Sequence, residues 1–230
     1  MKNIILIMWY FLGPILLTGQ DWPELNRFRE DNARRDVPKV NENRIVFMGN
    51  SITESWSSLH PEFFSGKSYI NRGISGQTTA QMLVRFRADV IDLQPKAVVI
   101  LAGTNDIAGN TGPATIKMIA DNIMSMAELA RVNNILVIIS SVLPVYDYSW
   151  KPGLEPVAKI SRLNENIKNY TIKHGYTYLD YYSAMVDAQK GLKEEYTYDG
   201  VHPNKAGYEV MAILAEQAIA NTLDYTKKKR

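Results

Sequence analysis

The chain has 230 residues, 46% of them apolar and 22% charged, the balance of a soluble globular protein long enough for one full core. Its 26 basic and 24 acidic residues leave a formal charge of +2, which argues against a nucleic-acid partner or an acidic substrate. Cysteine is absent, so disulfides, a thiolate nucleophile and Cys-ligated metals are excluded together.

The N-terminus reads as an export signal. Lys2 supplies a positive start, and Ile4 to Leu17 is an uncharged apolar run, short of the ~20 residues that span a bilayer as a helix. Gly19 is an acceptable small residue before a cut at Gln20, and no cysteine stands at the junction to carry a lipid. Residues 1–19 are therefore predicted to be a signal peptide, and the mature protein periplasmic or extracellular with no stable membrane association. Residues 20–43 are polar. Trp22, Leu25 and Phe28 fall at helical spacing within them and predict a short docking helix.

Arg44 to Met48 is apolar and partly β-branched, a buried strand, and it runs into Gly49-Asn50-Ser51-Ile52-Thr53. A glycine lets the backbone turn sharply there and presents the serine at the strand end. Ser68 to Asn71 is a second strand and leads into Arg72-Gly73-Ile74-Ser75-Gly76-Gln77-Thr78-Thr79. Leu83, Phe86 and Val90 then follow a helical period, with Thr78 or Thr79 as its cap. Ala97 to Leu101 is a third strand and ends in Ala102-Gly103-Thr104-Asn105-Asp106. Ile116, Ile119, Ile123, Met126 and Ala130 mark the buried stripe of the next helix.

Ile135 to Ile139 is the fourth strand. A long loop follows from Ser141 to Pro156, carrying Tyr146, Tyr148 and Trp150. A helix marked by Ile160, Leu163, Ile167 and Tyr170 precedes a fifth strand, Tyr176 to Leu179. Asp199-Gly200-Val201-His202-Pro203 leads into a last helix from about Lys205 to Leu223, and residues 224–230 form a basic tail predicted to be disordered. Strand and helix alternate five times, the pattern of a parallel sheet with helices on both faces.

In such a sheet the strand ends share one edge, so Ser51, Gly73, Asn105 and the Asp199/His202 turn converge there. A serine hydroxyl needs a base to take its proton, and histidine is the usual one. Of the three histidines, only His202 has an aspartate three residues before it in a turn; an acid so placed holds the imidazole tautomer. Asn105 offers a side-chain N–H, and Gly73 and Ser51 offer backbone N–H groups, to an oxyanion. No His, Asp or Glu grouping has metal-ligand spacing, and no phosphate-cradling glycine loop with its lysine is present.

These blocks resemble the GDSL esterase/lipase family, the SGNH hydrolases, whose Ser, Gly, Asn and His blocks run in this order. Here they are Gly49-Asn50-Ser51-Ile52-Thr53, the stretch around Gly73, Gly103-Thr104-Asn105-Asp106 and Asp199-Gly200-Val201-His202. The second block is especially similar to platelet-activating-factor acetylhydrolase subunits. The resemblance implies a three-layer α/β/α sandwich with a five-stranded, flavodoxin-like parallel sheet over residues 44–223. It further implies Ser51 as nucleophile, His202 as base, Asp199 as its partner, and Ser51, Gly73 and Asn105 as the oxyanion hole, with no cofactor. The family's aspartate before the serine is Asn50 here.

The expected activity is hydrolysis of a short, acetyl-type ester on a small-molecule or glycan substrate. Tyr146, Tyr148 and Trp150 would offer flat faces to a sugar, the other possibility being that they pack the loop onto the domain. A lysophospholipase or thioesterase is the alternative, and a silent binding module the third reading.

Overall fold

In the computed structural model, which describes residues 21–228, the five predicted strand segments form the five strands of one sheet. The predicted export signal lies outside the described residues. A first helix, α1 (Arg29–Ala33), precedes β1 (Ile45–Gly49), α2 (Ser51–Leu59), β2 (Tyr69–Gly73) and α3 (Thr79–Asp89). Then come β3 (Ala97–Leu101), a short α4 (Thr104–Ile107), α5 (Ile116–Val132) and β4 (Leu136–Ser140). The chain finishes with α6 (Pro156–His174), β5 (Thr177–Leu179), α7 (Tyr181–Met185) and α8 (Lys205–Lys228).

All pairings are parallel, in the order β2-β1-β3-β4-β5. The central strands, covered on both faces, need apolar residues at nearly every position, which is why β1, β3 and β4 are apolar runs, while the edge strands β2 and β5 carry Asn71, Arg72 and Thr177. Val46, Met48, Val98, Ile100, Val137 and Ile139 face α3, α5 and α6 in one core layer. Ile45, Phe47, Ala97, Val99 and Ile138 face α2, α7 and α8 in the other. This is the expected three-layer α/β/α sandwich. The sequence direction of the sheet reverses at β1, between β2 and β3, and such a switch point opens a crevice at the carboxyl edge.

The N-terminal segment departs from its predicted form. No helix uses Trp22, Leu25 and Phe28 as a face; residues 22–28 are turns, and Trp22 and Leu25 remain exposed. The Asp21 carboxylate takes the N–H groups of Leu25 and Asn26 at 2.9 and 3.0 Å, a local bond that competes with helix formation. The segment docks through polar groups instead. Asn32 Nδ2 donates to Asp89 Oδ1 at 2.8 Å, and the Arg72 guanidinium lies 4.5 Å from the Phe28 ring centre. At the other end, α8 continues past the predicted Leu223 to Lys228.

Arg85 on α3 is fully buried and joins β1, β2 and the loop between β2 and α3. It donates to the carbonyls of Gly49 (3.0 Å) and Arg72 (2.9 Å), to Gln77 Oε1 (2.6 Å) and to Asp89 Oδ2 (2.9 Å). Removing one member of a buried ion pair strands the other without compensation. Arg85→Met should therefore lower unfolding free energy by about 3–5 kcal/mol, read from the denaturant midpoint; a loss below about 1 kcal/mol would show that Asp89 and the two carbonyls find other partners.

Candidate active site

Gly49 ends β1 against the neighbouring backbone. A Cβ there would lie 2.0 Å from Thr53 Oγ1 and 3.0 Å from the Leu101 carbonyl, so no larger residue fits between strand and helix. The turn places Ser51 at the first position of α2. Asn50 is the N-cap, its Oδ1 accepting from Ile52 N at 3.0 Å. As the first helical residue, Ser51 has no carbonyl one turn back to receive its own N–H.

On the far side of the crevice, Thr197 Oγ1 accepts from Gly200 N (3.0 Å) and donates to the His202 carbonyl (2.7 Å), closing the turn before α8. Gly200 sits at φ +81°, the left-handed region. Within this turn Asp199 Oδ1 accepts from the N–H groups of Val201 (2.9 Å) and His202 (2.7 Å), while Oδ2 lies 2.6 Å from His202 Nδ1. The other ring nitrogen, Nε2, lies 2.9 Å from Ser51 Oγ. Thus Asp199, His202 and Ser51 stand in one hydrogen-bonded line. Partial burial pushes the Asp199 carboxyl up, but the bonds from His202 and Val201 outweigh it and hold the group below the usual carboxylate range. An ionised Asp199 accepts from Nδ1–H and leaves Nε2 free to take a proton from serine.

Asn105, on α4 just beyond β3, is buried and donates one amide hydrogen to the Gln77 carbonyl at 3.0 Å. An amide has two hydrogens to give, so the second remains available. Asp106, beside it, accepts from Thr79 N and Oγ1 and thereby fixes the start of α3. Burial raises its pKa despite those bonds.

Gly73 does not fit the role expected of it. Its N–H is already given to Asn71 Oδ1 at 2.8 Å, and a Cβ there would lie 2.1 Å from Glu54 N. It is a glycine because β2 passes close against α2. Gly76, three residues on, has the free donor: its N–H meets no protein acceptor among the described residues, and it sits exposed at φ +76°. Its carbonyl accepts from Asn110 Nδ2 at 3.0 Å, and the following carbonyl is the one held by Asn105. The sequence signal for Gly76 was the second glycine of Gly73-Ile74-Ser75-Gly76.

The three aromatic residues of the loop after β4 separate. Tyr148 is wholly buried, its hydroxyl 2.9 Å from both the carbonyl and Oγ1 of Thr104, and burial pushes its pKa up to about 12. It packs the loop and offers no face to a ligand. Tyr146 is exposed, its Cβ beside Gly191. Trp150 is half exposed, with its ring centre 6.2 Å from that of His202. Tyr148→Phe should cost about 1 kcal/mol of stability with kcat on a small acetyl ester near wild type. A large drop in kcat without a loss of stability would return Tyr148 to the ligand side.

The family model for GDSL-like lipases/acylhydrolases matches residues 47–210. A crystal structure from Bacteroides fragilis NCTC 9343, of a protein provisionally named an acylhydrolase, is 49% identical, with a TM-score of 0.87 over 89% of this chain and 99% of that one. The uncharacterized lipoprotein YqeF of Bacillus subtilis is 27% identical over 164 residues, 67% of this chain and 62% of the relative. The chain thus spans under two thirds of that relative's length. An acetylxylan esterase of Geobacillus stearothermophilus, at 18% identity and TM-score 0.61 over 77% of this chain and 94% of that one, shares the fold.

Proposed function

The chain belongs to the GDSL-like lipase/acylhydrolase family, and from that premise we propose that it is an exported serine esterase that removes short acyl groups, acetyl foremost, from carbohydrate. The observation that carries the mechanism is the line Ser51 Oγ–His202 Nε2 (2.9 Å) and His202 Nδ1–Asp199 (2.6 Å). His202 takes the serine proton as Oγ bonds to the ester carbonyl carbon, and the carbonyl oxygen becomes an oxyanion. The Ser51 N–H, the free hydrogen of Asn105 and the Gly76 N–H receive it, Gly76 taking the place first expected of Gly73. The ester C–O bond then breaks, and the alcohol leaves with the proton from His202. Water, deprotonated by His202, attacks the acyl-serine and releases the acid.

The choice of substrate rests on Trp150. A half-exposed indole beside the base stands where the departing alcohol must be held, and its flat amphipathic ring suits a sugar. The fold likeness to an acetylxylan esterase supports the same reading. Export is supported by the N-terminal signal pattern and by a relative called a lipoprotein. Among the described residues no helix is long and apolar enough to cross a membrane.

Two measurements test this reading. A fluorophosphonate probe should label the wild-type protein at Ser51 and leave folded Ser51→Ala unlabelled; labelling of the variant would move the nucleophile elsewhere. On p-nitrophenyl esters, kcat/KM should be highest for acetyl and fall steeply with acyl length. Trp150→Ala should lower turnover of an acetylated sugar more than that of p-nitrophenyl acetate. A preference for long-chain esters or lysophospholipids would instead make the enzyme a lipid acylhydrolase.

A further inference from the structure

Next to the oxyanion loop lies an open groove of about 680 Å³. One wall is the loop itself, through Gly76 and Gln77, with Asn110 and Thr111 beside it. The opposite wall is the N-terminal segment, through Trp22 and Glu24. That segment precedes the stretch matched by the family model, which begins at residue 47.

The two walls are bonded to each other. Gln77 Nε2 donates to the Pro23 carbonyl at 2.9 Å and Gln81 Nε2 to the Trp22 carbonyl at 2.7 Å. Glu54 pairs with Arg27 and accepts from Ser75 N, both at 2.9 Å, and so ties the segment to the loop a third time. Trp22 is held by its backbone while the residue stays 43% exposed, with no aromatic partner among the described residues. The backbone that carries this indole is already ordered within the fold, so a ring stacking there costs only the side-chain rotamer on binding.

The chemistry of the lining selects among ligands. No lysine or arginine lines the groove among the described residues, so phosphate, sulfate and uronate groups find no counter-charge there. The Asp21 carboxylate is committed to Leu25 N, Asn26 N and Asn26 Nδ2. The Glu24 carboxylate and Asn110 Oδ1 remain as acceptors, and the Trp22 indole N–H as a donor. One aromatic face with a few acceptors fits a neutral polyhydroxylated ring: hydroxyls donate to the acceptors and the C–H face lies on the indole.

We propose that this groove is a glycan subsite, in which Trp22 and Glu24 bind a neutral sugar unit next to the one bearing the ester, so that the substrate is an acylated oligosaccharide rather than a monosaccharide. The proposal rests on the carbohydrate-esterase reading above. On that reading the ester carbonyl oxygen points to the Gly76–Asn105 donors, and the groove begins at the same Gly76–Gln77 peptide. A chain passing the nucleophile therefore has Trp150 beside the base and Trp22 beyond the oxyanion loop.

The test uses the whole chain with chemically acetylated neutral oligosaccharides of one to four xylose or glucose units, and with p-nitrophenyl acetate as reference. Relative to that reference, wild-type kcat/KM should rise about tenfold between one unit and three, the effect of one stacked ring worth about 1.4 kcal/mol. Trp22→Ala should abolish the rise, mainly through KM, and Trp22→Phe should keep most of it. If Trp22→Ala retains the full length dependence, the subsite is elsewhere and the proposal falls, while the carbohydrate reading stands. If the wild type hydrolyses p-nitrophenyl acetate but no acetylated sugar, the carbohydrate reading falls. The groove is then judged by calorimetric titration of an unacetylated tetrasaccharide into Ser51→Ala: binding that disappears in Ser51→Ala/Trp22→Ala supports it, and absence of binding overturns it. A choline ester that is strongly preferred, with the preference lost in Glu24→Gln, would overturn the assignment to a neutral ligand.

Discussion

The active edge of this protein depends on one buried guanidinium. Arg85 makes four hydrogen bonds, and three of them end on the segments that form the candidate site. The Gly49 carbonyl lies two residues before Ser51, the Arg72 carbonyl lies one residue before the end of β2, and the Gln77 side chain stands beside Gly76. A charge with no solvent exposure is tolerated only when it is paired and its donors are used; Asp89 supplies the pairing, and Asn32 from the N-terminal segment helps hold Asp89. The planar fork of arginine suits this task, because it gives several donors in fixed directions from one rigid group. Lysine would bring a charge without the geometry.

The second tie runs across the sheet's other layer. Tyr208, on the helix that follows the His202 turn, is fully buried and donates to the Ile52 carbonyl at 2.7 Å. Its ring stacks on Trp56 of α2, 5.5 Å between centres. Ser51 and His202 are 151 residues apart in sequence, and their 2.9 Å contact follows from this docking of α8 on α2. The hydrogen bond between them is therefore set by core packing more than by the two side chains themselves, the condition under which a reacting geometry is held without reordering.

Much of this was legible in the sequence, and the reasons are local. A short β-branched run such as Ala97 to Leu101, bounded by Pro95 and Gly103, fits a strand covered on both faces, and it runs straight into its block of polar and glycine residues. Asp199, three residues before His202 in a glycine turn, announced its own contact. Where sequence reasoning went astray, the deciding contact was one that residue spacing does not show. Gly73 and Gly76 are equivalent as letters; only the closeness of Glu54 to one, and the bond from Asn71 Oδ1 to its N–H, separate a packing glycine from one with a free donor. Tyr148 and Trp150 are neighbours in the same loop, yet Thr104 draws one hydroxyl into the core and leaves the other ring outside. Trp22, Leu25 and Phe28 have helical spacing, but the Asp21 carboxylate captured the backbone first.

Asn50 illustrates how a small departure from a family pattern can be read physically. A helix N-cap must accept an N–H from the second or third helical residue, and Asn50 Oδ1 takes that of Ile52 while its carbonyl takes that of Glu54 at 2.8 Å. Both bonds pass over Ser51, whose N–H is left to the ligand. An aspartate would cap as well, but it would set a fixed negative charge one residue from the point where, in the proposed reaction, the carbonyl oxygen gathers its own. Asparagine keeps the cap and omits that repulsion, so the positive end of the α2 dipole acts on the oxyanion without being partly neutralised by the cap.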